Sequence, residues 1–217
     1  MNIGNAPTLA VGLCALGLLA TAAAEPPLAG DVAAGAAKAA VCGACHGPTG
    51  NSANPEWPNL AGQHHEYLVQ QLQLLKSGAR VAPTMAPMAL MLSAQDMADV
   101  GAHYEKQSPG GLEADASLWQ AGEKLYRGGD AVRAIPACMG CHGPNGRGNG
   151  PARWPQIGGQ HALYTGNQLK NYAARSRYVQ PTGGAAQPPQ AEMMYDIAKR
   201  LSEADIQALA AYLQGLR

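Results

Sequence analysis

One pattern occurs twice: Cys42-Gly-Ala-Cys45-His46 and Cys138-Met-Gly-Cys141-His142. In a Cys-x-x-Cys-His run, two thiols can add to the two vinyl groups of one haem, and the adjacent His can bind its iron. A fold that obeys this pattern must wrap a flat macrocycle at each copy. Two copies in similar contexts predict two covalently bound haem c groups, with Cys42, Cys45, Cys138 and Cys141 as thioether positions and His46 and His142 as axial ligands. Two other readings use the same cysteines. A structural zinc would take four thiolates, but it leaves both His without a role and needs pairs that lie far apart in the chain. A redox dithiol wants a preceding strand, and none is legible.

The N-terminus has the pattern of an export signal. Leu9–Ala22 is apolar, and Thr21-Ala22-Ala23-Ala24 offers small residues for cleavage before Glu25. Residues 1–24 are therefore expected to be a signal peptide, although no Lys or Arg precedes the apolar run. A retained anchor is the alternative, for which the run is short. The fifth cysteine, Cys14, lies inside this run and would leave with it.

About 190 residues remain, enough for two small domains. There is no Phe, and aromatics make up only 5% of the chain. Two such domains would have thin cores from side chains alone, and buried porphyrins would supply the missing apolar mass. Net charge is zero overall but unequal by halves. Glu25–Ser108 has four Lys/Arg against seven Asp/Glu, and Pro109–Arg217 has eleven against eight. A dipole of this kind is either a steering field or ordinary solvated charge.

The halves repeat beyond the Cys motif. Trp57-Pro58-Asn59-Leu60-Ala61-Gly62-Gln63-His64 matches Trp154-Pro155-Gln156-Ile157-Gly158-Gly159-Gln160-His161, and Tyr67 and Gln71-Leu72 match Tyr164 and Gln168-Leu169. This is a tandem duplication of one module. The coarse pattern is all-α, with no sustained strand. Helices are expected from about Asp31 and Ser117, from near His64 and His161, and after Ser93 and Ser202, which read as N-caps. Gly35 and Gly122 would let the first and last helices of each half cross closely, facing the His103-Tyr104 pair and Tyr212. His64 and His161 read as surface or helix-start residues. Gln107-Ser108-Pro109-Gly110-Gly111 reads as the linker (about 107–116), giving domains 25–108 and 109–217.

These residues resemble the cytochrome c4 family of dihaem c-type cytochromes over essentially the whole mature chain. The paired motifs, the repeated Pro-x-Leu/Ile-Ala/Gly-Gly-Gln segment and the terminal Ala211–Leu216 carry the resemblance. It implies two class I cytochrome c domains, His/Met-ligated haems and electron transfer in the bacterial periplasm. It also implies, in many members, association with the membrane surface. The redox partners it implies are a quinol–cytochrome c reductase or dehydrogenase on one side and a terminal oxidase on the other, with no nucleic acid. Related dihaem subunits accept electrons inside dehydrogenases such as flavocytochrome c, which is the second reading. A dihaem peroxidase is the third, and Met at both distal positions argues against it. Nothing in the sequence supplies a nucleophile or an acid–base pair, so no enzyme activity is expected.

Thioether sulfur favours reduced iron, so Met is the expected sixth ligand. Candidates are Met85, Met88, Met91 and Met97, then Met193 and Met194. Aligning Ser93 with Ser202 puts Met85 on Met194, and no other pair is Met in both halves. The resemblance places its distal Met at the same position, so the expected ligands are Met85 and Met194. The alternative is that methionines spaced three apart pack as gap-fillers on a helix face. Pro58 and Pro155 are the candidate acceptors for the free ring N–H of each proximal His. The segment from His46 to Met85 spans 39 positions and that from His142 to Met194 spans 52, so the second Met-bearing loop, Arg175–Met193, is expected to be longer.

Overall fold

The computed structural model describes Met1, residues 28–179 and residues 187–217. The expected signal peptide, Cys14 and residues 180–186 of the second Met-bearing loop lie outside that range. Each half has the same helical plan. The first contains α1 (Val32–Ala39), α2 (Gly43–His46), α3 (His65–Lys76), α4 (Ala86–Leu90) and α5 (Ala94–Glu105). The second contains α6 (Trp119–Gly128), α7 (Met139–His142), α8 (Ala162–Ala173), α9 (Pro189–Ala198) and α10 (Glu203–Gly215). Among the described residues the only β pairing is three isolated bridges.

Local chemistry sets the helix ends. Ser93 and Ser202 each cap a helix in a full capping box, with Asp96 and Asp205 returning the bond to the cap N–H. Asp31 caps α1 through the Ala34 N–H. The first and last helices of each half cross as α1 on α5 and α6 on α10. Gly35 and Gly122 make this crossing close enough that a Cβ would strike the carbonyl oxygens of Asp99 and Ala208. The facing side chains are His103 and Tyr212. The middle helices α3 and α8 pack on α5 and α10.

Side-chain cores are small, as the composition predicts. In the first half, Ala39, Leu68, Val100 and Tyr104 cluster beneath Cys42 and Leu60. In the second, Leu125, Tyr126, Ile135, Leu209, Tyr212, Leu213 and Leu216 cluster beneath Cys138 and Ile157. Each core thus ends at the first cysteine of its motif.

One expectation changes. The stretch Arg175–Met193 is not loop throughout, because α9 begins at Pro189. Pro at the first helical position has the φ the helix needs and no N–H to leave unpaired, and Glu192 lies in the first turn. Residues 106–118 carry no α-helix. They are tied to both halves: Asn51 bonds Ser108 O and the Gly110 N–H, and Gln214 donates to Glu113 O.

Candidate haem sites and the contact between them

A single helical turn builds each candidate site. Cys42, Cys45 and His46 fall at positions one, four and five, so all three side chains share a face. Cys138, Cys141 and His142 repeat this on α7. Gly47 and Gly143 end the turns at φ 78° and 75°, a left-handed conformation that favours glycine. All four thiols are free and half-buried. Burial pushes the Cys138 thiol up to about 11 and raises that of Cys42. A reactive dithiol is favoured by a lowered thiol pKa, and burial shifts Cys42 and Cys138 the other way. Among the described residues no group of three His, Cys, Asp or Glu could hold a metal ion by itself. That disposes of the zinc reading for this arrangement.

Both histidines are buried, and both are held through the same nitrogen. His46 Nδ1 lies 2.8 Å from Pro58 O, and His142 Nδ1 lies 3.0 Å from Pro155 O. A carbonyl only accepts, so Nδ1 carries the proton and Nε2 keeps its lone pair. Burial lowers both imidazole pKa values, and at His46 the Arg80 charge adds to the effect. Each ring is therefore neutral and oriented, the state a metal-binding His needs. Buried Tyr126 braces the second turn by donating to Gly143 O at 2.5 Å.

Met85 is the N-cap residue of α4, and Met194 lies on α9, both half-buried. The register that pairs them has a structural counterpart: Ala89 and Ala198, four residues after each, are both fully buried. Met97 is 2% exposed within the core, whereas Met91 and Met193 are 69% and 46% exposed. Met88 is half-buried, and its counterpart is Ile197.

The repeated Gly-Gln-His segment turns out to join the halves. Gly62 and Gly159 both adopt φ 72°, which swings the next residue outward. Gln63 Nε2 donates to Gln156 O at 2.8 Å, and its Oε1 accepts from the Gln156 N–H at 2.9 Å. Gln160 makes the same pair of bonds to Asn59, at 3.0 and 2.8 Å. His64 Nε2 meets Arg147 O at 2.6 Å, and His161 Nε2 meets Ser52 O at 2.9 Å. Both histidines do start helices, but His161 is buried at this contact rather than lying on the surface. Sequence reasoning missed this interface. Its signal is present in the Gln63–His64 and Gln160–His161 pairs, which are repeated in both halves, although their partners Gln156, Asn59, Arg147 and Ser52 are not.

Comparison with known proteins decides the family. The cytochrome c family model matches residues 32–106 and again 120–217. Cytochrome c4 of Azotobacter vinelandii is 46% identical over 87% of this chain and 90% of that one. The chain belongs to the cytochrome c4 family. The crystal structure of reduced cytochrome c4 from Pseudomonas stutzeri superposes with a TM-score of 0.80 at 43% identity, over 87% of this chain and all of that one. A thiosulfate dehydrogenase electron acceptor of Thiomonas intermedia is 37% identical over 83% of this chain and 81% of its own. Members of the cytochrome c4 family carry two covalently bound haem c groups, and the two Cys-x-x-Cys-His turns here match that content. The protein is a dihaem electron-transfer cytochrome with two cytochrome c domains. Among the described residues no helix is long and apolar enough to cross a membrane.

Proposed function

We propose that this protein carries electrons in the periplasm between a membrane reductase or dehydrogenase and a terminal oxidase, using two His/Met haems. One observation carries this reading: the whole proximal arrangement is built twice, with the same His–Pro carbonyl bond each time. Cys42 and Cys45 hold one haem and Cys138 and Cys141 the other. His46 and His142 supply the proximal nitrogen through Nε2. Pro58 and Pro155 fix each ring and make it a stronger donor. Met85 and Met194 close the sixth positions, and what supports them is the shared register with Ala89 and Ala198. When bound, each haem supplies one-electron chemistry at iron. The chain's own part is to keep both irons six-coordinate, exclude water with the small apolar clusters, and hold the two sites at a fixed distance. The domain boundaries we assign are 25–108 and 109–217, with residues 107–116 as linker. Residues 1–24 direct export and are then removed.

The relatives favour a second reading, in which the protein serves as the electron acceptor of one dehydrogenase. Purification discriminates between them. A free carrier leaves a periplasmic extract as a stable species reducible by several donors. A dedicated subunit co-purifies with its dehydrogenase and is reduced slowly by others. A reduced-minus-oxidised spectrum with a pyridine haemochrome count tests the cofactor content in the same sample.

A further inference from the structure

The two glutamines that cross between the domains bond to one particular peptide group in each. Pro58 O accepts from His46 Nδ1 at 2.8 Å. The N–H of that same peptide belongs to Asn59, and it donates to Gln160 Oε1 of the other domain at 2.8 Å. The second site repeats the arrangement. Pro155 O accepts from His142 Nδ1 at 3.0 Å, and the Gln156 N–H of that peptide donates to Gln63 Oε1 at 2.9 Å. Each histidine is thus joined, through a single peptide group, to a glutamine of the opposite domain.

The glutamines are held in place for this. Each Oε1 also accepts from the N–H of the following residue, His64 or His161, at 3.1 Å. Both donors are main-chain N–H groups, so the oxygen of the side-chain amide must face them. The nitrogen then donates to Gln156 O in one case and Asn59 O in the other. Gln63, Gln160 and Asn59 are 6%, 9% and 9% exposed, so water does not compete for these bonds. Adhesion between domains does not require the bonds to fall on the peptide that holds the ring, yet in both halves they do.

Hydrogen bonds in series polarise one another. A glutamine oxygen that draws on the amide N–H leaves more negative charge on the carbonyl oxygen, strengthening its bond to the histidine by roughly 10–30%. A histidine that donates more strongly at Nδ1 is a more basic ligand at Nε2. A more basic ligand favours ferric iron and lowers the potential.

We propose that Gln63 and Gln160 are positioning residues acting across the domain contact, each setting the ligand strength of the other domain's histidine. The potential of each haem then depends on a residue of the opposite domain. The inference rests on His46 and His142 as the proximal ligands, and that reading has its own signature: the ring protons of both should be hyperfine-shifted in the oxidised protein. Unshifted rings would remove the ligation itself, whereas shifted rings with inert glutamines would remove only the crossed relay.

The test is a redox titration of the mature holoprotein, Gln160→Met and Gln63→Met followed by NMR. Each haem is identified by its thioether contacts to Cys42 and Cys45 or to Cys138 and Cys141. In Gln160→Met the potential of the first-domain haem should rise by ~18–36 mV, about a two- to four-fold fall in its oxidised-to-reduced ratio at fixed potential. The second haem should move less. In the reduced protein the His46 Nδ1–H resonance should shift upfield while that of His142 stays. Gln63→Met should exchange the two assignments, so either variant alone carries the test. A merely structural glutamine would lower the unfolding midpoint and leave the potentials and both Nδ1–H resonances unmoved, or would disturb the haem of its own domain, and either result overturns the proposal. If neither variant accumulates, the reduced unmodified protein decides through scalar couplings across the hydrogen bonds. Couplings from Asn59 N to Gln160 Cδ and from Gln156 N to Gln63 Cδ are expected, and the absence of either contradicts the relay.

Discussion

At His46 and His142 one backbone carbonyl decides the tautomer, so Nε2, the nitrogen proposed to bind iron, keeps its lone pair before any partner docks. On the distal side the proposed ligands are Met85 and Met194. Replacing either with Ala should lower the potential of one haem, weaken the far-red band and open that iron to CO, whereas Met88→Ala should leave all three unchanged. CO binding by Met88→Ala but not by Met85→Ala would show that the halves are paired in the wrong register. A second residue-scale effect concerns acid. Asp99 is buried against α1, accepting from the Asp31 N–H at 2.9 Å, Lys38 Nζ at 2.6 Å and Gln95 Nε2 at 2.8 Å. These bonds hold its pKa down to about 2. Since the folded value is below the usual ~3.9, the carboxylate's contribution is full above about pH 4 and fades as pH falls towards 2. Asp99→Asn should therefore lower the thermal midpoint at pH 7 and flatten its fall between pH 4 and 2. An unchanged acid profile would contradict this.

At the scale of elements, most of the plan is legible before any coordinates. Ser93 and Ser202 declare α5 and α10 because a capping box is a local device, needing only the Asp three residues on. The start of α9 at Pro189 is not legible in the sequence, because a run rich in Pro, Gly and Gln looks like loop until the neighbouring α8 gives it a face to pack on. Gly122 sits at the close helix crossing that the sequence predicts, and its cost can be measured. Gly122→Ala forces α6 away from α10, and overpacking of this kind costs about 1–3 kcal/mol. Denaturant unfolding of the variant should show that loss with both haems retained. A neutral or stabilising effect would mean that the crossing can relax.

Across the whole molecule, the two domains are joined by polar exchange and by a small apolar cluster in which Leu74 and Ala79 of the first meet Tyr178 and Ala191 of the second. Gln63 with Gln160, His64 with His161 and Arg80 with Arg177 each cross to the other half. None of this could be derived from periodicity, because the partners are remote in sequence and only the pairing of domains brings them together. Yet Gln63 and Gln160, and His64 and His161, are duplicated residues, so comparing the halves marks those positions, while Arg80 and Arg177 lie outside the repeat that is legible in the sequence. The charge difference between halves is a property of the same scale, but Arg177 cannot act as a surface charge because it is buried. Arg175 is already paired with Glu192. Arg147 and Arg153 are exposed and make no ion pair among the described residues. Arg147→Glu with Arg153→Glu should slow reduction by small anionic donors and speed it with cationic ones. The effect should fade as salt shortens the screening length towards ~8 Å and below. Equal rates at low salt would leave the asymmetry with no steering role. The central claim is that both domains hold a covalent haem of the same ligation and pass electrons without an open iron. It is tested most directly by a coulometric titration of the mature protein followed in the visible and far red, with CO added at full reduction. Two electrons per chain are predicted, with the far-red band lost over both steps and no CO adduct. One electron per chain, or CO binding to either reduced haem, would contradict it.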